Sequence, residues 1–149
     1  MVLGNLLIVD DEELLVKNIS YLLKKHTEKI HVAYNGLDAL SVVENNQIHC
    51  VICDISMPKM NGLEFMQKVR EAGNEVPFIF FTAYGQSELM LKAAEYGAFD
   101  FVRKPDFGNL EESVLRGISE GFKRLSDNST SANKQSEYDK ILNELNKII

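Results

Sequence analysis

The sequence has few cysteines, no long apolar run and no cluster of basic residues, and each shortage removes a class of function. Only two of its 149 residues are cysteines, Cys50 and Cys53, whose CxxC spacing invites a redox or metal reading. Both lie in the apolar run Cys50-Val51-Ile52-Cys53. In a strand, residues three apart point to opposite faces, so this pair shares neither a ligand nor a disulfide and reads as two small core hydrophobes. No apolar stretch is long enough to span a bilayer, and Met1-Val2-Leu3-Gly4-Asn5 lacks the basic flank and long apolar region of a signal peptide. A cytoplasmic location with no membrane partner is the expectation. The net charge is −6, and no group of lysines and arginines offers a footprint for a phosphate backbone, which argues against direct nucleic-acid binding. The three histidines, His26, His31 and His49, are scattered without ligand spacing and receive no role.

What is present is the composition of one folded domain, with 45% hydrophobic and 26% charged residues. The apolar residues gather into runs that end in polar groups. Leu6-Leu7-Ile8-Val9 leads to Asp10-Asp11, Cys50-Val51-Ile52-Cys53 to Asp54, Phe78-Ile79-Phe80-Phe81 to Thr82, and a fourth run to Lys104. Strands that are apolar throughout are covered on both faces, the mark of a parallel sheet. Polar groups at matching ends place its chemistry along the carboxyl edge.

Between the runs, apolar residues recur at helical spacing. Leu15, Ile19 and Leu22 mark a helix ending near Lys24-Lys25-His26, and Leu37, Leu40 and Val43 a second after Asn35-Gly36. Leu63, Met66 and Val69 mark a third beginning at Gly62, and Leu89 and Ala93 a fourth over 86–96. Leu110, Val114, Ile118 and Phe122 mark a fifth, and shorter patterns predict strands over 30–34 and 98–102. Five β-α units predict an open parallel sheet with helices on both faces. Past Leu125 the composition turns to Ser, Asn, Asp and Thr, which predicts a polar linker over 125–136. Tyr138, Ile141, Leu145 and Ile148 then predict an amphipathic helix over 137–149. It packs on its own domain or frays, or it meets a partner or a second copy in a homodimer. Fewer than two heptads do not establish a coiled coil.

Asp10-Asp11, Asp54 with Met57-Pro58-Lys59-Met60-Asn61-Gly62 behind it, Thr82-Ala83 and Lys104-Pro105 resemble, in order and spacing, the receiver domain of two-component response regulators. The resemblance covers residues 5–124, so 1–124 is expected to be the receiver unit. It implies a CheY-like, flavodoxin-like α/β fold: a three-layer, doubly wound sandwich on a five-stranded parallel sheet of order 2-1-3-4-5. The first and third strands are then neighbours, and Asp10, Asp11 and Asp54 converge. Three such carboxylates repel one another and call for a hard cation, Mg²⁺ or in its place Mn²⁺.

The resemblance also implies roles. Asp54 is the phosphoacceptor nucleophile, forming an acyl phosphate. Asp11, Asp54 and the backbone carbonyl of Ser56 are metal ligands, with Asp10 acting through water. Lys104 and Thr82 contact the phosphoryl oxygens, Ala83 leaves room beside them, and the Lys104-Pro105 bond is expected to be cis. Phe101 stands at the switch-aromatic position, coupled to Thr82, so that phosphorylation remodels the surface of the fourth helix, fifth strand and fifth helix toward a downstream protein partner. The phosphoryl donor is a histidine kinase or a histidine phosphotransfer protein. Ser56 and Tyr84 flank the route of attacking water, and the bulk of Tyr84 suggests shielding and a longer phosphoryl lifetime.

Taken singly, these residues have plainer readings: Asp11 or Asp54 as a helix cap, Thr82 as a strand residue, Lys104 as a solvated charge, Phe101 as core. Independent residues have no reason to fall at the carboxyl ends of four successive strands. The alternative is a pseudo-receiver, an interaction module without phosphoryl chemistry, against which the full set of site residues argues. A phosphohydrolase of the haloacid dehalogenase type needs a second acid two residues after its nucleophile; Ser56 stands there, so the chain is expected not to be an enzyme beyond its own phosphorylation and dephosphorylation. A flavodoxin would bring a flavin phosphate into an acidic crevice whose first loop has no Ser/Thr-rich cradle. The residues after Leu125 are too few for a helix-turn-helix module, leaving a stand-alone receiver whose terminal helix aids binding, or the N-terminal piece of a longer regulator or hybrid kinase cut inside that helix.

Overall fold

Five short strands carry the interior: β1 (Gly4–Val9), β2 (Thr27–Ala33), β3 (Cys50–Cys53), β4 (Phe78–Thr82) and β5 (Asp100–Arg103). The structure, a computed structural model of the chain, describes residues 3–83, 85 and 87–148, with the side chains of 128–140 and 148 excepted. All four strand pairings are parallel and the order is β2-β1-β3-β4-β5, as expected. Helices α1 (Glu13–Leu23) and α5 (Phe107–Ile148) cover one face; α2 (Gly36–Asn45), α3 (Gly62–Glu71) and α4 (Ser87–Glu95) cover the other. Alternation along each strand feeds two separate cores. Leu7, Val9, Val51, Cys53, Phe78 and Phe80 point toward α2–α4, whereas Leu6, Ile8, Cys50, Ile52, Ile79 and Phe81 point toward α1 and α5. The two cysteines therefore sit on opposite faces, fully buried and unpaired.

Several boundaries differ from the sequence reading for physical reasons. β2 begins at Thr27 rather than at residue 30, because it is an edge strand whose Glu28 and Lys29 face solvent and hide the apolar pattern. β5 begins at Asp100 rather than at residue 98: the Ala98 amide donates to the Ala93 carbonyl, which makes Ala98 part of the closure of α4. On α1 the fully buried residues are Val16, Ile19 and Leu23, with Leu15 and Leu22 packed at the margin. On α2 Ala39 and Val43 are buried, Leu40 partly, and Leu37 is exposed. Gln86, the expected start of the fourth helix, lies outside the described residues.

The largest correction concerns 125–136, where the structure carries α5 onward as helix instead of a linker break. Its Ser, Asn and Thr residues are only mildly unfavourable in a helix, and 126–136 contains neither Gly nor Pro. A helix already nucleated on the sheet can propagate through such a segment. Leu110, Val114 and Ile118 are buried against β-strand side chains and Phe122 is partly so; from Leu125 to Asp127, and again over 141–147, the side chains are exposed. The side chains of Tyr138 and Ile148 lie outside the described residues.

Candidate functional site

The register of β1 on β3 pairs Val9 with Cys53, so the next residues, Asp10 and Asp54, leave the sheet side by side. Backbone bonds hold that exit: the Asp54 amide donates to the Val9 carbonyl at 2.9 Å and the Asp10 amide to the Ala33 carbonyl at 3.2 Å. Asp11 is exposed beside them, and carboxylate oxygens of Asp10, Asp11 and Asp54 lie within 4.8 Å of one another. Thr82, at the end of β4, donates its hydroxyl to Asp54 Oδ1 at 3.0 Å. Lys104, just past β5, places Nζ 3.1 Å from Asp54 Oδ2 and 2.9 Å from Asp10 Oδ2. The Lys104-Pro105 peptide is cis. The Ser56 amide faces Asp54 Oδ1 at 3.4 Å.

The loop between β3 and α3 is built to hold Asp54 still. Lys59 takes a left-handed turn (φ 67°), the Gly62 amide donates to the Ile55 carbonyl at 2.9 Å, and Asn61 caps α3 by accepting from the Glu64 amide at 2.9 Å. A Cβ at Gly62 would fall on the Asp54 carbonyl oxygen, so glycine is needed there for close approach. Under the site, the Cys53 thiol donates to that same carbonyl at 3.1 Å. Burial, with the charges of Asp54 and Asp10, pushes this thiol well above its ordinary range.

One ammonium offsets part of the charge in the site. Burial raises the pKa of Asp10, opposed in part by the Glu12 amide it accepts at 3.0 Å and by Lys104. Burial pulls Lys104 down, but the hydrogen bond and charge of Asp10, with Asp54 behind them, outweigh it and hold the ammonium above its usual value.

Asp10, Asp11, Asp54, Thr82 and Lys104, all singled out in the sequence, are thus brought together, with Ser56 at the rim. Phe101 is not in contact with Asp54: it is half-buried, stacks on Phe80 at 5.7 Å and shares the lining of a cavity with Thr82. Tyr84 lies outside the described residues. Sequence reasoning missed the Lys104–Asp10 pair, and it missed a polar staple beside Phe101, where Asp100 accepts from Ser113 Oγ at 2.6 Å and from Arg116 at 3.0 Å. Spacing held a trace of the latter, since Ser113 and Arg116 fall three apart on α5 and share a side of it. Two histidines given no role are structural. His49 is buried, accepting the Asn5 amide on Nδ1 at 2.8 Å and stacking on Phe122, and His26 reaches Glu111 at 3.2 Å.

The family model described as response regulator receiver domain matches residues 6–115. The chain belongs to the response regulator receiver domain family. Among curated proteins, this receiver is 36% identical over 100 residues to the transcriptional regulatory protein DltR of Streptococcus agalactiae, covering 67% of the chain and 45% of DltR. It is 33% identical over 102 residues to the transcriptional regulatory protein SrrA of Staphylococcus aureus, covering 68% of the chain and 42% of SrrA. The chain thus spans less than half the length of these relatives. Among solved structures, a CheY-like response regulator receiver domain protein from Methanospirillum hungatei superposes with a TM-score of 0.74 at 25% identity, covering 83% of this chain and 99% of the other. Its function is that of a receiver in two-component signalling. Receiver domains generally hold magnesium in an acidic pocket, and Asp10, Asp11 and Asp54 form an acidic cluster here. They work with histidine kinases and downstream effectors. No described helix is long and apolar enough to cross a membrane.

Proposed function

We propose that Asp54 is the phosphoacceptor, taking a phosphoryl group from the phosphohistidine of a histidine kinase or phosphotransfer protein. The observation that carries this reading is that both Asp54 carboxylate oxygens are already met by the groups that would stabilise a phosphoryl group, the Thr82 hydroxyl and the Lys104 ammonium. In the transfer, one Asp54 oxygen attacks phosphorus in line, the bond from phosphorus to the imidazole nitrogen breaks, and an acyl phosphate forms. Asp11, Asp54 and the Ser56 carbonyl, with Asp10 through water, are the oxygen donors that would hold Mg²⁺, whose charge offsets that of two approaching anions. Lys104 turns from the carboxylates to the phosphoryl oxygens, and the Thr82 hydroxyl donates to the same group.

Ser56 offers no second carboxyl two residues past Asp54, so the protein turns over no external phosphate ester and acts only on itself. The output passes through Phe101 to the surface of α4, β5 and α5, where a downstream protein or a second copy docks. Leu91 and Tyr96 on that side are exposed.

Intact-mass measurement after incubation with Mg²⁺ and acetyl phosphate or phosphoramidate tests the assignment. A single phosphoryl adduct is expected in the wild type and none in Asp54→Asn. Absence of the adduct in the wild type, with magnesium binding demonstrated, would instead make the chain a phosphorylation-independent interaction module.

A further inference from the structure

α4 is fastened at one end. Within it only Ala93, in the second half, is fully buried; Leu89 and Met90, nearer its start, are only partly buried against the same core, and Leu91 is 68% exposed. The chain then turns at Gly97 (φ 85°), with the Gly97 and Ala98 amides donating back to the Ala94 and Ala93 carbonyls. Arg70 of α3 ties down this end. Its Nε donates to the Tyr96 carbonyl at 3.1 Å and Nη2 reaches the Gly97 carbonyl at 3.5 Å, while Nη1 donates to the Asn74 and Val76 carbonyls at 3.0 and 2.8 Å. The guanidinium lies 5.3 Å over the Phe78 ring, beside Glu75 at 3.7 Å, and the side chain is only 8% exposed. A planar fork of donors held by four carbonyls from two segments has one position available to it. It also sets a buried cation against the negative end of the α4 dipole.

The other end of α4 is different. Gly85 precedes it in a left-handed conformation (φ 95°), with nothing but its chain neighbours within 4 Å of where a Cβ would stand. Beneath its first turns lies a cavity of about 240 Å³ whose lining includes Thr82, Ala83, Met90 and Phe101. Between cavity and clamp runs a file of rings, Phe78 on Phe80 at 5.8 Å and Phe80 on Phe101 at 5.7 Å. Close-packed rings of this kind resist compression, whereas an empty volume gives way.

We infer that Arg70 is a positioning residue that makes the C-terminal end of α4 a fixed pivot, about which the N-terminal end swings over the Thr82–Phe101 cavity when Asp54 is phosphorylated. The inference rests on the phosphoacceptor reading. A tilt of about 15° on a helix of this length moves its first turn by roughly 3 Å and leaves its last turn in place.

Backbone amide NMR and hydrogen exchange on the full chain with Mg²⁺, before and after adding beryllium fluoride as a phosphoryl stand-in, test the pivot. In the wild type, amides of Asp54, Thr82 and Lys104 and of 87–91 are expected to shift, while those of 96–98 shift several-fold less. Arg70→Met is expected to speed exchange at Gly97 and Ala98 about tenfold, from the loss of charged hydrogen bonds, and to spread the beryllium fluoride shifts into 96–98. Its magnesium affinity stays unchanged, and Arg70→Lys falls between it and the wild type. Equal shifts along the whole of α4 in the wild type overturn the pivot and need no variant to fold; so does an Arg70→Met protein with the wild-type pattern. No shift at Asp54, Thr82 and Lys104 overturns the phosphoacceptor reading and the pivot with it.

Discussion

Lys104 sits where a cation is needed before any phosphoryl group arrives. Its ammonium joins Asp10 and Asp54, so in the resting site one positive charge already stands against three carboxylates. Lys104→Met keeps the aliphatic stem and removes that charge. Its magnesium affinity, measured by titration calorimetry, is expected to rise about tenfold, roughly 1.4 kcal/mol. Phosphoryl transfer from phosphoramidate is expected to fall by about two orders of magnitude, as when one preorganised stabilising group is removed. An unchanged magnesium affinity would show that the ammonium does not compete for the carboxylates. At this scale the sequence was informative about membership and silent about pairing. Asp54, Thr82 and Lys104 were legible because each ends an apolar run. That Lys104 reaches Asp10 depends on a side-chain path that no spacing records.

Among elements, α5 shows how backbone proximity decides the effect of a substitution. Gly121 lies against the sheet where a Cβ would fall on the His49 carbonyl oxygen, and a Cβ at Gly117 would come within 2.8 Å of Cys50 Sγ. Gly108, in the first turn, meets only Asp106 Oδ1 at 3.8 Å. Gly121→Ala is therefore expected to lower stability by about 3 kcal/mol in urea unfolding, despite the better helix propensity of alanine. Gly108→Ala is expected to raise it by roughly 0.5 kcal/mol. Equal responses would mean that α5 does not rest on the sheet at Gly121. The same helix marks the limit of composition as a guide. The Ser- and Asn-rich stretch after Leu125 resembles a linker, yet continuity of a helix is governed by breakers and by upstream packing, and that stretch has no breaker. β2 shows the converse, a strand whose charged edge residues conceal its first three positions.

For the whole molecule, the sheet separates two cores and gathers the chemistry at one rim. This arrangement was legible because fully apolar strands imply cover on both faces; the strand order came from resemblance, since alternation alone does not order strands. At the opposite end of the strands, His49 ties β1 to β3 and stacks on Phe122 of α5. Burial lowers its pKa below the ordinary 6.5. The neutral ring is the folded form, so its contribution is complete above pH 6.5 and is lost as pH falls from there through the folded-state value, where the unfolded chain takes the proton more readily. Urea midpoints of the wild type are expected to fall between pH 7 and pH 5, and His49→Phe, though less stable throughout, should show a shallower fall over this window. Parallel slopes would remove His49 as the cause.

The sealing of both cysteines reaches beyond packing. Cys50 lies in one core with its thiol pushed up to about 12, and Cys53 lies in the other directly beneath Asp54, each at 0% exposure. Neither presents a thiolate to peroxide, glutathione or an alkylating reagent while the protein is folded. If Asp54 accepts phosphate as proposed, its chemistry is thereby insulated from the redox state of its surroundings, although a sulfur atom lies against the Asp54 backbone. A cysteine introduced on the surface of α4 would be the one reactive thiol on the molecule, and maleimide labels placed there would report that helix alone.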